Sequence, residues 1–413
     1  MRGTSLLAAL FAAGCAQPTE EPCRSAPFAM GDSAGVEVAS TGGCEALRPL
    51  GWEVELRPDV SLGGEASEPA SQFFRIRGAR QLANGMLAVV DGGDMATRFF
   101  RVDGEFLFSL GTEGRGPGEF MNPVLLGTSP PEARSDSLGV LLFDRTLSRL
   151  SWASAGGGIE AEMPVRLGRP GRVVGWIGGS LVVRRLGASV TGMVGLLPEP
   201  GAEALLLVDP GTGRERLVTR ITPVPSFGYP LDGRIVNDFV PFEVPVRHAV
   251  GRDRLVLIDG KLPQLREYDP GGGLRRIIRV EMATRQATER DLDAYIEVQR
   301  QRSTTRAAAA QIEDAIRGLP WRREMPVFDE IVLDADGFTW ARLYGFDPAV
   351  PRRWVVFAPE GMALGTVDTP PGLAVQQVGG DFILGVTSDS LDVEHLRRHR
   401  LRRGLDASHD RER

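Results

Sequence analysis

Arg98-Phe-Phe-Arg-Val-Asp-Gly-Glu-Phe-Leu-Phe-Ser-Leu-Gly111, continuing as Thr-Glu-Gly-Arg-Gly-Pro-Gly-Glu-Phe120, reads as two strands, a tight turn at Asp103-Gly104, and a glycine-rich crossover ending on an aromatic. Asp-Gly supplies the backbone conformations that a short strand connection needs. The runs on either side are too short for a typical helix and rich in aromatic residues, which favours strands. The glycines could suggest a phosphate loop. That motif needs Lys followed by Ser or Thr after its last glycine and then a helix, whereas Glu119-Phe120 follows here and a strand is expected next.

Outward from this stretch, one unit recurs: a polar or glycine turn followed by a short apolar run. It occurs at Asn84–Asp91, Asp136–Asp144, Gly178–Arg184, Arg252–Asp259, Asp336–Leu343 and Gly380–Val386, six copies in all. A second unit, a strand ending in a turn, tends to follow it: Val102–Phe106, Trp152–Gly158, Val208–Gly213, Tyr268–Gly273 and Phe357–Gly361. Together they describe four-stranded antiparallel units that cannot bury both faces alone, which radial stacking would solve. The expected fold is all-β: a six-bladed β-propeller over residues 32–403. The strand-like segment from Trp52 to Leu62 is expected to complete the last blade beside Leu391–Leu401 and so remove free sheet edges. One segment departs from the β pattern. Thr288-Glu-Arg-Asp291 resembles a capping box and opens a helical insertion over about 286–318, with Ile296, Ala307, Ile312 and Ile316 as its apolar face.

Composition agrees with short strands and tight loops. Of 413 residues, 51 are Gly and 29 are Pro, so roughly one in five is a turn former. The formal net charge of −6 is mild for this length and points to no nucleic-acid partner. Lys261 is the only lysine; the preponderance of arginine is read as a bias towards GC-rich codons.

The N-terminus addresses localisation. Met1-Arg2 precedes the apolar run Leu6–Ala13, which is far shorter than the roughly 20 residues a membrane span requires. A removable export signal over 1–14 fits better. Ala12-Ala-Gly-Cys15 resembles the lipobox of bacterial lipoproteins, with Ala12 where Leu is usual. The resemblance implies cleavage before Cys15 and its lipidation; ordinary cleaved secretion is the alternative. Ala16, rather than Asp, follows, so the inner-membrane retention signal of some bacteria is absent. Residues 15–31 read as a tether and 404–413 as a charged tail. Cys23 and Cys44 remain as an even pair. They could form a disulfide closing a loop of about 20 residues, worth about 3 kcal/mol, or stay as free thiols.

Asp103-Gly104 with Gly114-Arg-Gly-Pro-Gly-Glu-Phe120 resembles NHL-type six-bladed propellers, particularly bacterial lipoproteins of that kind; Asp32–Val38 and the Trp52 segment resemble the start of those lipoproteins. The resemblance covers about residues 30–403. It implies a fold that hosts lactonases, lyases and binding modules alike, so it leaves activity open.

Candidate chemistry is sparse. The innermost strands offer Asn122, Asn237, Asp238, Asp329, Glu330 and Gln376 as channel-lining groups. No cofactor is required by this reading, although oxygen ligands of this kind suit Ca²⁺. His395 and His399 would meet on a helix, but on the strand expected here they stand roughly 13 Å apart, too far for one ion. His248 and His409 are isolated. No Gly-x-Ser-x-Gly elbow occurs, which leaves Ser180 and Ser226 without nucleophile context. The basic run Arg397–Arg403 could meet anionic lipid; a solvated closing strand is the plainer reading. The expected function is that of a lipid-anchored module in the cell envelope, facing the periplasm or the outer membrane, that binds a protein, peptide or glycan. The competing expectation is a metal-dependent hydrolase or lyase, lactonase-like, with its site at the propeller axis; a structural envelope component is a third.

Overall fold

In a computed structural model of the protein, residues 23–64, 68–128, 138–188, 192–231, 233–301, 303, 305–389 and 391–404 are described. The opening stretch forms strands Ala96–Phe100 and Phe106–Leu110. In the turn between them, the Gly104 amide donates to the Arg101 carbonyl at 2.9 Å and the Glu105 amide to Asp103 Oδ1 at 3.1 Å. In the crossover, the Phe120 amide donates to the Thr112 carbonyl at 2.8 Å and the Gly114 amide to the Phe120 carbonyl at 3.1 Å. Gly111 has φ +93°, and a Cβ there would stand 2.6 Å from the Phe120 ring, so the close approach requires glycine. Phe120 is fully buried among Leu82, Val90, Val140 and Leu142, a burial worth about 2–3 kcal/mol. The crossover thus plugs the seam between one sheet and the next.

The strands pair into a succession of sheets. Sheet I comprises Ile76–Gln81, Leu87–Asp91, Ala96–Phe100 and Phe106–Leu110. Sheet II comprises Pro123–Gly127, Gly139–Asp144, Arg149–Ser154 and Gly158–Pro164. Sheet III contains Arg172–Ile177, Ser180–Arg185, Glu203–Val208 and Glu215–Ile221, and sheet IV contains Arg247–Val250, Leu255–Ile258, Gln264–Tyr268 and Leu274–Glu281. Sheet V runs through Phe328–Leu333, Thr339–Leu343, Arg352–Phe357 and Ala363–Thr369. In sheet VI, Ala374–Val378, Phe382–Ser388 and Glu394–Arg402 are joined by the N-terminal strand Val60–Gly63, which pairs antiparallel with His395–Arg398. The first strand of each sheet touches the first strand of the next, and that of sheet VI touches that of sheet I. The arrangement is all-β and propeller-like, with the apolar clusters lying between adjacent sheets.

The N-terminal segment is fastened to sheet VI by charge as well as by strand pairing. Glu53–Val54 pairs with Leu401–Arg402. Arg398 pairs with Asp59 and donates to Gln81 Oε1 at 2.8 Å, while Arg402 reaches Glu55 at 2.6 Å. Arg403 bridges Asp334 at 3.0 Å and Asp336 at 3.1 Å, and its guanidinium lies over Trp52. The basic run is therefore largely taken up by carboxylates of this chain.

Three features differ from the sequence expectation. Ala29–Ser33 and Val36–Gly42 form a hairpin whose second strand lies parallel to Leu274–Glu281 on the edge of sheet IV, so the tether expected through residue 31 becomes strand at Ala29. A short helix, α1 (Gly43–Leu47), follows. Second, Gly195–Leu196, from the connection inside sheet III, pairs with Ser226–Leu231, which with Arg234–Phe239 follows sheet III in the chain, and the three make a small separate sheet. Third, the helical insertion is two helices, α2 (Glu289–Gln301) and α3 (Arg306–Arg317). The capping box forms: the Thr288 amide donates to Asp291 Oδ2 at 2.8 Å, and the Asp291 amide to Thr288 Oγ1 at 3.3 Å. Ile296 and Ile316 are buried against Phe227 and Phe242, with Ile312 packed beside them. Ala307 faces outward, and Ala308 and Ala309 take the buried positions instead, because the helix starts at Arg306 and sets the phase.

Cys23 and Cys44 are joined in a disulfide, with a Cα–Cα distance of 5.1 Å. Residues 1–22, with Cys15 and the expected export signal, and residues 405–413 lie outside the described residues.

Candidate functional site

A cavity of about 680 Å³ opens where the first strands converge, and every sheet contributes to its wall. Sheet I and the loop before it bring Arg75 and Arg77, sheet II brings Asn122 and Arg145, and sheet III brings Arg172 and Arg184. Arg247 and His248 come from sheet IV, Glu330 from sheet V and Gln376 from sheet VI. Val124, Val173, Val174 and Val246 supply apolar wall between these polar groups.

Buried aspartates at the ends of second strands hold the lining loops. Asp144 is fully buried and ends the second strand of sheet II. Its Oδ2 accepts the amides of Met121 (2.7 Å) and Asn122 (3.0 Å), and its Oδ1 accepts those of Thr146 (2.9 Å) and Leu147 (2.8 Å). One carboxylate therefore fixes both loops that present Asn122 and Arg145. Asp91 does the same in sheet I, accepting the amides of Phe74 at 3.2 Å and Gly93 at 2.8 Å. Burial raises its carboxyl above the ordinary range, and the two amides and the Arg98 guanidinium at 3.1 Å oppose that. Next to Phe74, Arg75 is held at φ +65°, the left-handed region that a residue with a Cβ rarely adopts, and its carbonyl accepts the Gly92 amide at 2.9 Å.

The cavity is electropositive. Six arginines line it, and of these Arg184 alone has a carboxylate partner among the described residues, Glu203 at 2.7 Å. Arg77 donates to Asn122 Oδ1, and Arg247 to the Asp329 carbonyl at 3.2 Å. Arg145 reaches solvent, yet partial desolvation in the cavity wall lowers it below the usual guanidinium value, and Arg172 and Arg77 lower it further by like-charge repulsion. His248 is half-buried; burial and then Arg184, Arg172 and Arg247 push it down to about 4, so its ring is neutral near pH 7. Arg80, on the same strand as Arg77, is lowered by burial to about 10 and donates to the backbone carbonyls of Ala79 and Gln376.

Of the residues expected to line the channel, Asn122, Glu330 and Gln376 do so. Asp329 adjoins Glu330 but is buried away from the cavity, 2.6 Å from Arg342; burial raises its carboxyl and Arg342 opposes the rise. Asn237 and Asp238 lie elsewhere. They belong to the small separate sheet, not to an innermost strand, and border a second cavity of about 430 Å³ that shares Arg172, Arg184 and Arg247 with the first. The chain leaves the repeat after sheet III, so counting strands along the sequence assigned Arg234–Phe239 to the wrong place.

The donor set does not fit Ca²⁺. Asn122 Oδ1 is taken by Arg77, Glu330 is the one carboxylate in the wall among the described residues, and the surrounding guanidinium groups repel a cation. No group of three His, Cys, Asp or Glu side chains suited to a metal occurs among the described residues. His395 and His399 lie on strand Glu394–Arg402. His395 Nε2 is 3.5 Å from Asp389, and His399 Nδ1 is 2.8 Å from the Glu55 carbonyl, both at the seam of sheet VI.

Sequence reading did not single out the arginines or place His248 in the site. A positional signal exists: Arg172 and Arg247 each open the first strand of a sheet, and Arg75 and Arg77 flank the residue that opens another. In a chain this rich in arginine, that signal becomes visible only once the first strands are known.

No protein-family model and no curated protein matches this chain. Among solved structures, it is similar to a DUF4221 family member from Bacteroides vulgatus, at 12% identity and TM-score 0.46, covering 85% of this chain and 99% of that one. It is also similar to virginiamycin B lyase from Staphylococcus aureus, at 10% identity and TM-score 0.36, over 85% of this chain and 99% of the lyase. The PQQ-bound aldose sugar dehydrogenase of Streptomyces coelicolor matches at 14% identity and TM-score 0.38, over 86% of this chain and 100% of the other.

Proposed function

We propose that the chain is an exported, lipid-anchored β-propeller of six blades, sheets I to VI, that works as a binding module for a protein, peptide or glycan. The observation that carries the binding reading is the cavity itself: about 680 Å³ of concave surface with polar groups from every sheet and apolar wall between them. The cyclic succession of first-strand contacts supports six blades, and the Asp103-Gly104 turn with its glycine crossover supports the NHL-type kinship. Ala12-Ala-Gly-Cys15 supports an anchor at Cys15, and the Cys23–Cys44 disulfide suits an oxidising compartment outside the cytoplasm.

Two experiments test this reading. Replacement Cys15→Ser should move the protein from the membrane fraction to the soluble one; retention in the membrane would overturn the anchor. Cross-linking in intact cells, followed by purification, should capture a partner with the wild type and lose it when Val174→Trp fills the cavity. An identical capture by both would place binding on another surface.

One observation favours a second reading, an axial hydrolase or lyase. His248 is a neutral imidazole in the cavity wall, the state in which an imidazole can accept a proton. That enzyme would not be the metal-dependent form, since the donor set does not fit an ion. Turnover abolished by His248→Asn with binding retained would establish it.

A further inference from the structure

We infer that the axial cavity takes a small ligand bearing two or more carboxylate or phosphate groups, held chiefly by Arg145 and Arg172. This rests on the reading of the cavity as a binding site, and places a small oxyanion there instead of a protein, peptide or glycan.

The argument begins with how this chain treats arginine elsewhere. Three buried guanidinium groups meet carboxylates, while Arg80 is satisfied by backbone carbonyls: Arg98 meets Asp91 at 3.1 Å, Arg254 meets Glu267 at 3.1 Å, and Arg276 meets Glu267 at 3.2 Å. At the sheet VI seam, Arg398 meets Asp59. The cavity reverses this habit. Arg75, Arg77, Arg145, Arg172 and Arg247 line it without an ion pair to any described carboxylate. Five like charges gathered in one concave wall repel one another, and the folded chain gains nothing from that repulsion. Scattered on the outer surface, the same residues would not incur it.

The placement is also built, not incidental. Asp144 spends all four of its hydrogen bonds fixing the loops of Asn122 and Arg145, and Arg75 is held in a left-handed backbone conformation. Valine walls between the arginines lower the local dielectric and focus their field into the cavity. The arginines come from sheets I to IV, while sheets V and VI offer Glu330 and Gln376, so the positive charge forms a crescent facing a hydrogen-bonding side. A planar guanidinium matches carboxylate and phosphate oxygens in a two-pronged geometry, which makes a multiply charged oxyanion the complementary ligand. Desolvation is the main cause that lowers Arg145 and His248, and the further lowering by their cationic neighbours is the same field seen from inside.

The test is titration calorimetry of the purified protein with citrate and with inorganic pyrophosphate at low salt, with maltotriose as a neutral probe. Binding of either anion, weakened about ten- to hundred-fold by Arg172→Ala or Arg145→Ala and abolished by Arg172→Glu, is the expected result. Arg145 and Arg172 are exposed and have no ion pair among the described residues, so these variants should melt as the wild type does, which separates lost affinity from lost fold. Failure of both anions to bind at up to about 10 mM, or binding indifferent to all three variants, would overturn the inference. Maltotriose bound by the wild type and lost in Val174→Trp would also overturn it, while leaving the binding reading intact.

Discussion

Replacing Asp144 should be among the most damaging single changes in sheet II. The carboxylate is fully buried and accepts four backbone amides at 2.7–3.0 Å, two from the loop before the first strand and two from the turn after the second. Asp144→Ala leaves four donors without their acceptor. Each hydrogen bond to a charged group contributes about 1.5–3 kcal/mol. Thr146 is exposed, and Met121, Asn122 and Leu147 are partly so, which lets water recover much of the loss. About 3–5 kcal/mol is the expected net cost, below the simple sum for that reason. Asp144→Asn keeps one accepting oxygen but turns an NH₂ towards two amide donors, so about 2–3 kcal/mol should be lost. Asp103, exposed and accepting only the Glu105 amide, is the control; Asp103→Ala should stay within about 0.5 kcal/mol of the wild type. Urea unfolding followed by tryptophan fluorescence reads the global effect. Hydrogen exchange at the amides of residues 121, 122, 146 and 147 reads the local one, which matters because a chain of stacked sheets need not unfold in two states. Asp144→Ala within about 0.5 kcal/mol of the wild type, with those amides equally protected, would refute the claim that this carboxylate holds the cavity loops.

Three further outcomes follow from the same structure. His248 sits below its unfolded value at about 4, so between about pH 6.5 and 4 the unfolded chain binds the proton and the folded one does not. Stability should therefore fall as pH drops through that window, by at most about 2–3 kcal/mol, and His248→Phe should flatten that part of the profile; an NMR titration placing the ring near 6.5 would contradict it. Arg403→Ala removes the ion pairs to Asp334 and Asp336, the bond to the Gly379 carbonyl and the stacking on Trp52, so thermal denaturation should register a loss of about 2–3 kcal/mol, and Arg403→Lys should recover little because it lacks the planar fork. Cys44→Ser should cost about 3 kcal/mol locally, seen as faster proteolysis of the Ala29–Gly42 hairpin with little change at sheets I to III.

What was legible in the sequence follows the physics of each signal. The hairpin at 96–110 and the seam of sheet VI rest on turn chemistry and on strand runs bounded by glycine, which act over a few residues and can be read directly. The aspartates belong to the same class: Asp91, Asp144 and Asp259 end their repeat copies in the sequence, and all three accept loop amides in the structure. The small sheet at 195–239 was not legible, because its strands carry the same local signals as those of a blade and only long-range pairing distinguishes them. The misplacement of Asn237 and Asp238 follows from that, and so does the omission of His248. Arginine in the cavity failed for a different reason. A guanidinium on a first strand becomes a site only when residues as far apart as Arg75 and Arg247 share one wall, and no local pattern marks that convergence. The sequence also supplied a rival explanation, since a single lysine in the whole chain points to codon usage as the source of its arginines. Codon usage explains why the basic residues are arginine and not lysine; it does not explain why five of them face one cavity without an ion pair to a described carboxylate, while Arg98, Arg254 and Arg276 are each matched. The proposed anion site therefore rests on that contrast within the fold, and it stands or falls with Arg145 and Arg172.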